Sequence, residues 1–190
     1  MSVLKIKKNE ISVSALDSKS EHRHRWYHFK EGYSSDVVRA AMKDANVVNS
    51  NHIVSDPFSG SGTTPLTAVS EGVKAQGFEV NPFLRDIGYA KSQNCCPKLF
   101  SKKVDTVIEA SKTLKPSRLE EFSTFSEKAE QSQSRGKWLF NSPILQSFES
   151  GFSVVSKRKS VANFLVRMCL INAVMDVSNA AKDGKCLRYK

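Results

Sequence analysis

The chain has 190 residues, a length suited to one domain of ordinary size, and 39% of them are hydrophobic, enough to bury a core. Its 29 Lys and Arg exceed its 19 Asp and Glu, giving a formal net charge of +10. The longest apolar stretch, 164–177, is interrupted by Arg167 and Asp176, and the opening MSVLKIKKNE has no apolar targeting core. A membrane protein, a collagen-like fibre and a disulfide scaffold are therefore excluded, and a cytoplasmic setting is expected. Cys95, Cys96, Cys169 and Cys186 form no C-x-x-C pair, so they suit a reducing compartment and argue against a zinc ribbon. No metal site is expected.

The positive charge is uneven. Residues 51–100 carry four basic and four acidic groups, whereas 151–190 carry eight against two. A basic segment of this kind suits a phosphate-rich partner, since neutralising phosphates releases counterions.

In chain order, residues 1–23 read as a polar lead-in. An aromatic cluster and then a helix follow, with Ser34 or Ser35 as cap, Asp36 at its positive end and Val37, Val38, Ala41 and Met42 as its apolar face. His52–Phe58 reads as a buried strand ending in the turn Ser59-Gly60-Ser61-Gly62. A helix follows, with Thr63 or Thr64 as N-cap, Pro65 at the first helical position and Gly72 past its end. Val73–Val80 reads as a second strand, with Glu79 near its C-terminal end. A strand–helix–strand unit implies a parallel pair, so 24–100 is expected to be an α/β cofactor-binding region. Helices are expected over 84–94 and 101–114, and 101–135 reads as a polar helical insertion with one helix over 117–133. Residues 136–190 read as an apolar helical segment, with a last helix over 158–180. Between Val161 and Val177, 13 of 17 residues are apolar, the signature of a helix buried on all sides.

The chemistry is concentrated in Asp56-Pro57-Phe58-Ser59-Gly60-Ser61-Gly62-Thr63-Thr64. The glycines permit a sharp strand-to-helix turn and close approach of a ligand to the backbone. The helix start beyond them offers free N–H groups to a carboxylate or phosphate. Glu79, 19 residues after Gly60, stands where an acidic side chain accepts hydrogen bonds from a ribose diol. Together they specify an adenosine-bearing ligand. A dinucleotide fingerprint would place glycine at position 65, which is Pro65, and a P-loop would need Gly-Lys-Ser/Thr, which is absent.

The string Asp56–Thr64 resembles the S-adenosylmethionine-binding motif of DNA amino-methyltransferases, which modify cytosine N4 or adenine N6. Gly77–Phe83 is similar to the second cofactor motif of that family, and His24–Ser35 to the motif preceding its first strand. Residues 178–185 and 188–190 resemble the stretch ahead of the catalytic motif in one branch, many of whose members are cytosine-N4 enzymes. The resemblance implies a partial Rossmann-like class I methyltransferase fold in a restriction–modification system, with DNA as partner. It also implies roles. Phe58 would lie beneath the cofactor. Gly60, Gly62 and Thr63 would meet the methionine carboxylate, with Lys30 and Ser34 as further contacts. Asp56 would sit near the ammonium group. Glu79 would hold the ribose hydroxyls, and Asn81 and Phe83 would flank the adenine.

The family's catalytic motif, a polar residue followed by Pro-Pro and an aromatic that stacks on a flipped base, is missing: no Pro-Pro occurs in the chain. Asn141-Ser142-Pro143-Ile144 lacks the second proline and the aromatic. The fold is thus expected to be incomplete without a catalytic half. Three explanations stand: one subunit of a split enzyme completed by a second polypeptide carrying the catalytic motif and target-recognition region, a truncated remnant, or an inactive cofactor-binding relative. A non-catalytic nucleic-acid-binding protein and part of an RNA amino-methyltransferase are the alternatives in function.

Overall fold

The computed structural model describes residues 13–14, 18, 20–27, 29, 31–47, 49–157, 159–182 and 187–189, and these fall into two compact units that meet in sequence between Gln93 and Asn94. In the first unit a 3-10 turn (His24–Trp26) precedes α1 (Ser35–Asp44), β1 (Ile53–Asp56), α2 (Thr63–Ser70), β2 (Lys74–Gly77) and α3 (Pro82–Ser92). The second contains α4 (Pro97–Ser111), a 3-10 turn (Arg118–Glu121), α5 (Glu130–Arg135), α6 (Ser142–Val155), α7 (Val161–Asp176), β3 (Ala180–Lys182) and β4 (Leu187–Tyr189).

The first unit is α/β. β1 and β2 run parallel, with Ile53 opposite Lys74 and Asp56 opposite Gly77. Two parallel strands require a crossover, and α2 supplies it. Val38 and Met42 of α1, Ala68 of α2 and Val73 form the core, and Val54 and Ala75 pack against it from the sheet. Strand alternation then turns Ile53, Ser55, Lys74 and Gln76 outward, where all four are exposed. The expectation of a buried first strand is thus corrected, because helices cover one face of this sheet only. The arrangement is a partial Rossmann-like unit, as the motifs led us to expect.

Two helix starts depart from the sequence reading. Gly62, not Thr63 or Thr64, is the N-cap of α2, in the left-handed region at φ 86°. Thr63 is therefore the first helical residue and Pro65 the third, where its missing N–H still falls among groups with no intrahelical acceptor. At α1, Ser34 does stand at the N-cap, one of the two expected positions, but its side chain makes no capping bond. Instead Ser18 Oγ, from an earlier segment, accepts the Ser35 N–H at 2.9 Å.

The second unit is built on α4, α6 and α7, whose Val107, Val155 and Val166 form its core. Gly151 of α6 faces Val107 and Ser111 of α4, so closely that a side chain at 151 would overlap Ser111 Oγ and press on Val107 at 3.2 Å. The single polar helix expected over 117–133 is replaced by the 3-10 turn, a run of turns and the short α5. Ser117 and Glu120 close a capping box on the 3-10 turn, and Ser123 breaks any continuation at φ 48°. Glu120 is buried and accepts from Lys128 Nζ at 2.5 Å, Gln146 Nε2 at 3.0 Å, the Ser117 N–H at 3.1 Å and the Ser142 hydroxyl. Burial alone would raise its pKa, but these donors hold it down at about 2. The last helix spans 161–176 rather than 158–180, and only its first half is buried: Ala162 to Val166 and Met168 are covered, while Met175 is 36% exposed.

Candidate cofactor site

The predicted site residues gather at the C-terminal ends of β1 and β2. The chain leaves β1 at Asp56, whose Oδ1 accepts the Phe58 N–H at 2.9 Å and folds the backbone over. Its Oδ2 accepts the Tyr33 hydroxyl at 2.9 Å, and that hydroxyl also bonds Thr64 Oγ1. Burial raises the pKa of Tyr33, and the Asp56 carboxylate adds to the rise, so the phenol stays protonated as a donor.

Beyond Asp56 the turn runs close against β2. The Ser59 N–H donates to the Phe78 carbonyl at 2.9 Å, and the Phe78 N–H to the Asp56 carbonyl at 2.8 Å. Gly60 lies in the left-handed region at φ 53°. A Cβ at Gly62 would sit 2.9 Å from Gly88 Cα, so glycine at both 62 and 88 lets the turn nest against α3.

Glu79 completes the arrangement. Its Oε2 accepts the Gly60 N–H at 2.8 Å and its Oε1 accepts the Asn81 N–H at 2.7 Å. One carboxylate therefore joins the end of β2 to the glycine-rich turn. Asn81 then caps α3, its Oδ1 accepting from Phe83 N at 2.9 Å and Leu84 N at 3.3 Å. Phe83 meets Tyr27 edge to face at 5.5 Å between centroids. Phe29 lies over Gly60, within 3.5 Å of where a Cβ would be. Phe58 points away from the core, 85% exposed.

The structure thus brings Asp56, Phe58, Gly60, Gly62, Glu79, Asn81 and Phe83 to one sheet end. Thr63 is buried in the first turn of α2, and Ser34 is fully buried at the start of α1. Lys30 lies outside the described residues.

One residue escaped the sequence reading. Lys91, in the last turn of α3, is 2% exposed, and its Nζ reaches the Tyr27 carbonyl at 3.2 Å and Ser61 Oγ at 3.4 Å. Burial pushes its pKa down to about 8. The available signal was its spacing: Leu84, Ile87 and Lys91 stand at i, i+3 and i+7 on the buried face of α3, an apolar stripe with a lysine at its end.

A parallel strand pair, a glycine-rich turn opening a helix and a carboxylate ending the next strand define the class: a partial Rossmann-like α/β unit. The comparisons agree with it. Over 189 residues, 95% of this chain, the sequence is 26% identical to the type II methyltransferase M.BsoBI of Geobacillus stearothermophilus. Over 75 residues, 40% of this chain, it is 33% identical to the type II methyltransferase M.AvaI of Nostoc sp. and of Anabaena variabilis. The family resemblance drawn from the motifs is met: these relatives are type II methyltransferases, one of them matching along 95% of this chain. It spans about a third of M.BsoBI and 15% of M.AvaI. No family model and no solved structure matches the chain.

Proposed function

We propose that this chain is the S-adenosylmethionine-binding portion of a site-specific DNA methyltransferase of a cytoplasmic restriction–modification system, acting on cytosine N4 in preference to adenine N6. The observation that carries this reading is the Glu79–Gly60 pair, 2.8 Å apart, with an exposed aromatic ring at Phe58 alongside. The donor set fits the cofactor. Glu79 offers carboxylate oxygens to a ribose diol, and the N-terminus of α2, just past the glycine-rich turn, offers its first-turn N–H groups to the methionine carboxylate. Asp56, already a double acceptor, suits an ammonium group. Phe58 would lie beneath the cofactor, and Asn81 and Phe83 would flank the adenine, with Asn81 also fixing the start of α3. When bound, the cofactor supplies an electrophilic methyl group. This chain's residues hold and orient it.

The remaining machinery is assigned elsewhere. A Pro-Pro-aromatic motif to hold the target amino group, and a region to recognise the DNA sequence, would come from a second polypeptide or a further segment. The basic residues of 151–190 would lie toward DNA. No helix among the described residues is long and apolar enough to cross a membrane. The test is calorimetric titration of the folded chain with S-adenosylmethionine, alone and with a candidate partner, followed by labelled methyl transfer to duplex DNA and to transfer RNA. Binding and DNA methylation in the reconstituted mixture are expected. Folded protein that binds no cofactor in either setting would refute the reading, and methylation of transfer RNA alone would move it to the RNA enzymes.

A further inference from the structure

Lys91 poses a problem in energetics. An ammonium group 2% exposed is normally paired with a carboxylate, because burying an isolated charge is unfavourable. Among the described residues Lys91 has no acidic partner, only a carbonyl and a hydroxyl. Among the described residues, its hydrogen-bond partners are the Tyr27 carbonyl, Ser61 on the turn and the Arg23 side chain, which donates to the Lys91 carbonyl at 2.8 Å. His24 is near enough for the Lys91 charge to oppose its protonation. Burial, the larger effect, already holds His24 below its ordinary pKa, while its nearest carboxylate, Glu21, is engaged by Arg39. The Lys91 charge is therefore uncompensated, and it is aimed at Ser61, the residue between the two glycines of the turn.

We propose that Lys91 is a positioning residue whose ammonium supplies the counter-charge for the ligand carboxylate at the Gly60-Ser61-Gly62 turn, an inference that rests on the cofactor reading above. The carboxylate acts through the turn, with Ser61 Oγ between it and the ammonium. The lysine also anchors residues 23–27 through its Nζ and its carbonyl, so the same side chain links the upstream aromatic segment to the turn. The linkage has a definite sign. With a free-state pKa of about 8, Lys91 begins to lose its proton as pH rises through 8. An added carboxylate favours the charged form and raises that pKa. Binding therefore takes up a proton above pH 8, and affinity falls by up to about tenfold per pH unit in that range.

Calorimetry on the full chain separates the possibilities, using two ligands with the same adenosine part. S-adenosylhomocysteine carries the amino-acid carboxylate; methylthioadenosine does not. Proton uptake is read from buffers of differing ionisation enthalpy between pH 7 and 9.5. In the unaltered chain, S-adenosylhomocysteine is expected to weaken as pH rises past 8 with proton uptake, while methylthioadenosine does not. Lys91→Arg should keep the affinity at pH 7 and flatten the profile, leaving only the ligand's own amino group to titrate. Lys91→Met should weaken S-adenosylhomocysteine about tenfold or more and spare methylthioadenosine. If Lys91→Met fails to fold, the unaltered chain and Lys91→Arg carry the test alone. Binding of both ligands with an unchanged pH profile in Lys91→Arg, or equal losses for both ligands in folded Lys91→Met, overturns the inference while leaving the cofactor reading intact. Failure of both ligands to bind the unaltered chain overturns the two together.

Discussion

Replacing Gly62 with alanine isolates the contact that lets the turn nest against α3. Two effects add. Alanine in the left-handed region at φ 86° costs about 1 kcal/mol. The new Cβ would also lie 2.9 Å from Gly88 Cα, a backbone atom with no rotamer to escape into. Overpacking against a fixed neighbour adds about 1–3 kcal/mol, so the expected loss is roughly 2–4 kcal/mol. Gly72→Ala is the internal control. Gly72 has a similar φ of 77°, yet nothing lies within 4 Å of its would-be Cβ, so only the backbone effect of about 1 kcal/mol remains. Native-state hydrogen exchange of the α2 and α3 amides reads the opening free energy within this unit, independent of the other. Equal losses in the two variants would refute the reasoning, since they would mean that the overlap at Gly88 has no consequence.

Three further outcomes follow from the geometry. Glu79→Gln should weaken S-adenosylhomocysteine by about 1–3 kcal/mol in calorimetry, since a neutral amide retains one acceptor and loses the charge-assisted bonds. Asn81→Ala, which removes the acceptor for the Phe83 and Leu84 N–H groups, should lower protection of the first turn of α3 by about 1 kcal/mol in hydrogen exchange. The second unit should resist acid until carboxylates that are ionised in the fold are forced to protonate. Glu120 has a folded pKa of about 2 against an ordinary 4.5, so its contribution is complete above pH 4.5 and is lost as pH falls toward 2. An acid titration followed by Trp138 fluorescence should show this decline, and Glu120→Gln should flatten it.

The strand–turn–helix–strand core was legible because each part has a local signal: apolar runs for strands, glycines at the turn, and a carboxylate at fixed separation. What escaped depends on backbone angles and on distant partners. Whether Gly62 or Thr63 caps α2 is decided by a left-handed φ that nearby glycine permits but does not dictate. The cap on α1 comes from Ser18, 17 residues from the Ser35 it serves, so no local window contains both. The segment 117–133 has helical composition, yet the Ser117–Glu120 box and the pull of Lys128 and Ser142 on Glu120 fold it into turns. Lys91 was hidden for the opposite reason. A lysine near a helix C-terminus looks like an ordinary surface cation favourable to the helix dipole, and its burial follows from tertiary packing.

The carboxylate of Glu79 also works as a strut. It holds the Gly60 N–H at 2.8 Å and the Asn81 N–H at 2.7 Å, so the glycine-rich turn and the start of α3 hang from one side chain. An ionised carboxylate has about four acceptor sites, so these two bonds leave room for further donors without either being broken. On the proposed cofactor reading, a ribose diol would therefore add to an assembled frame, and the protein would have no hydrogen bond to give up there in order to receive it.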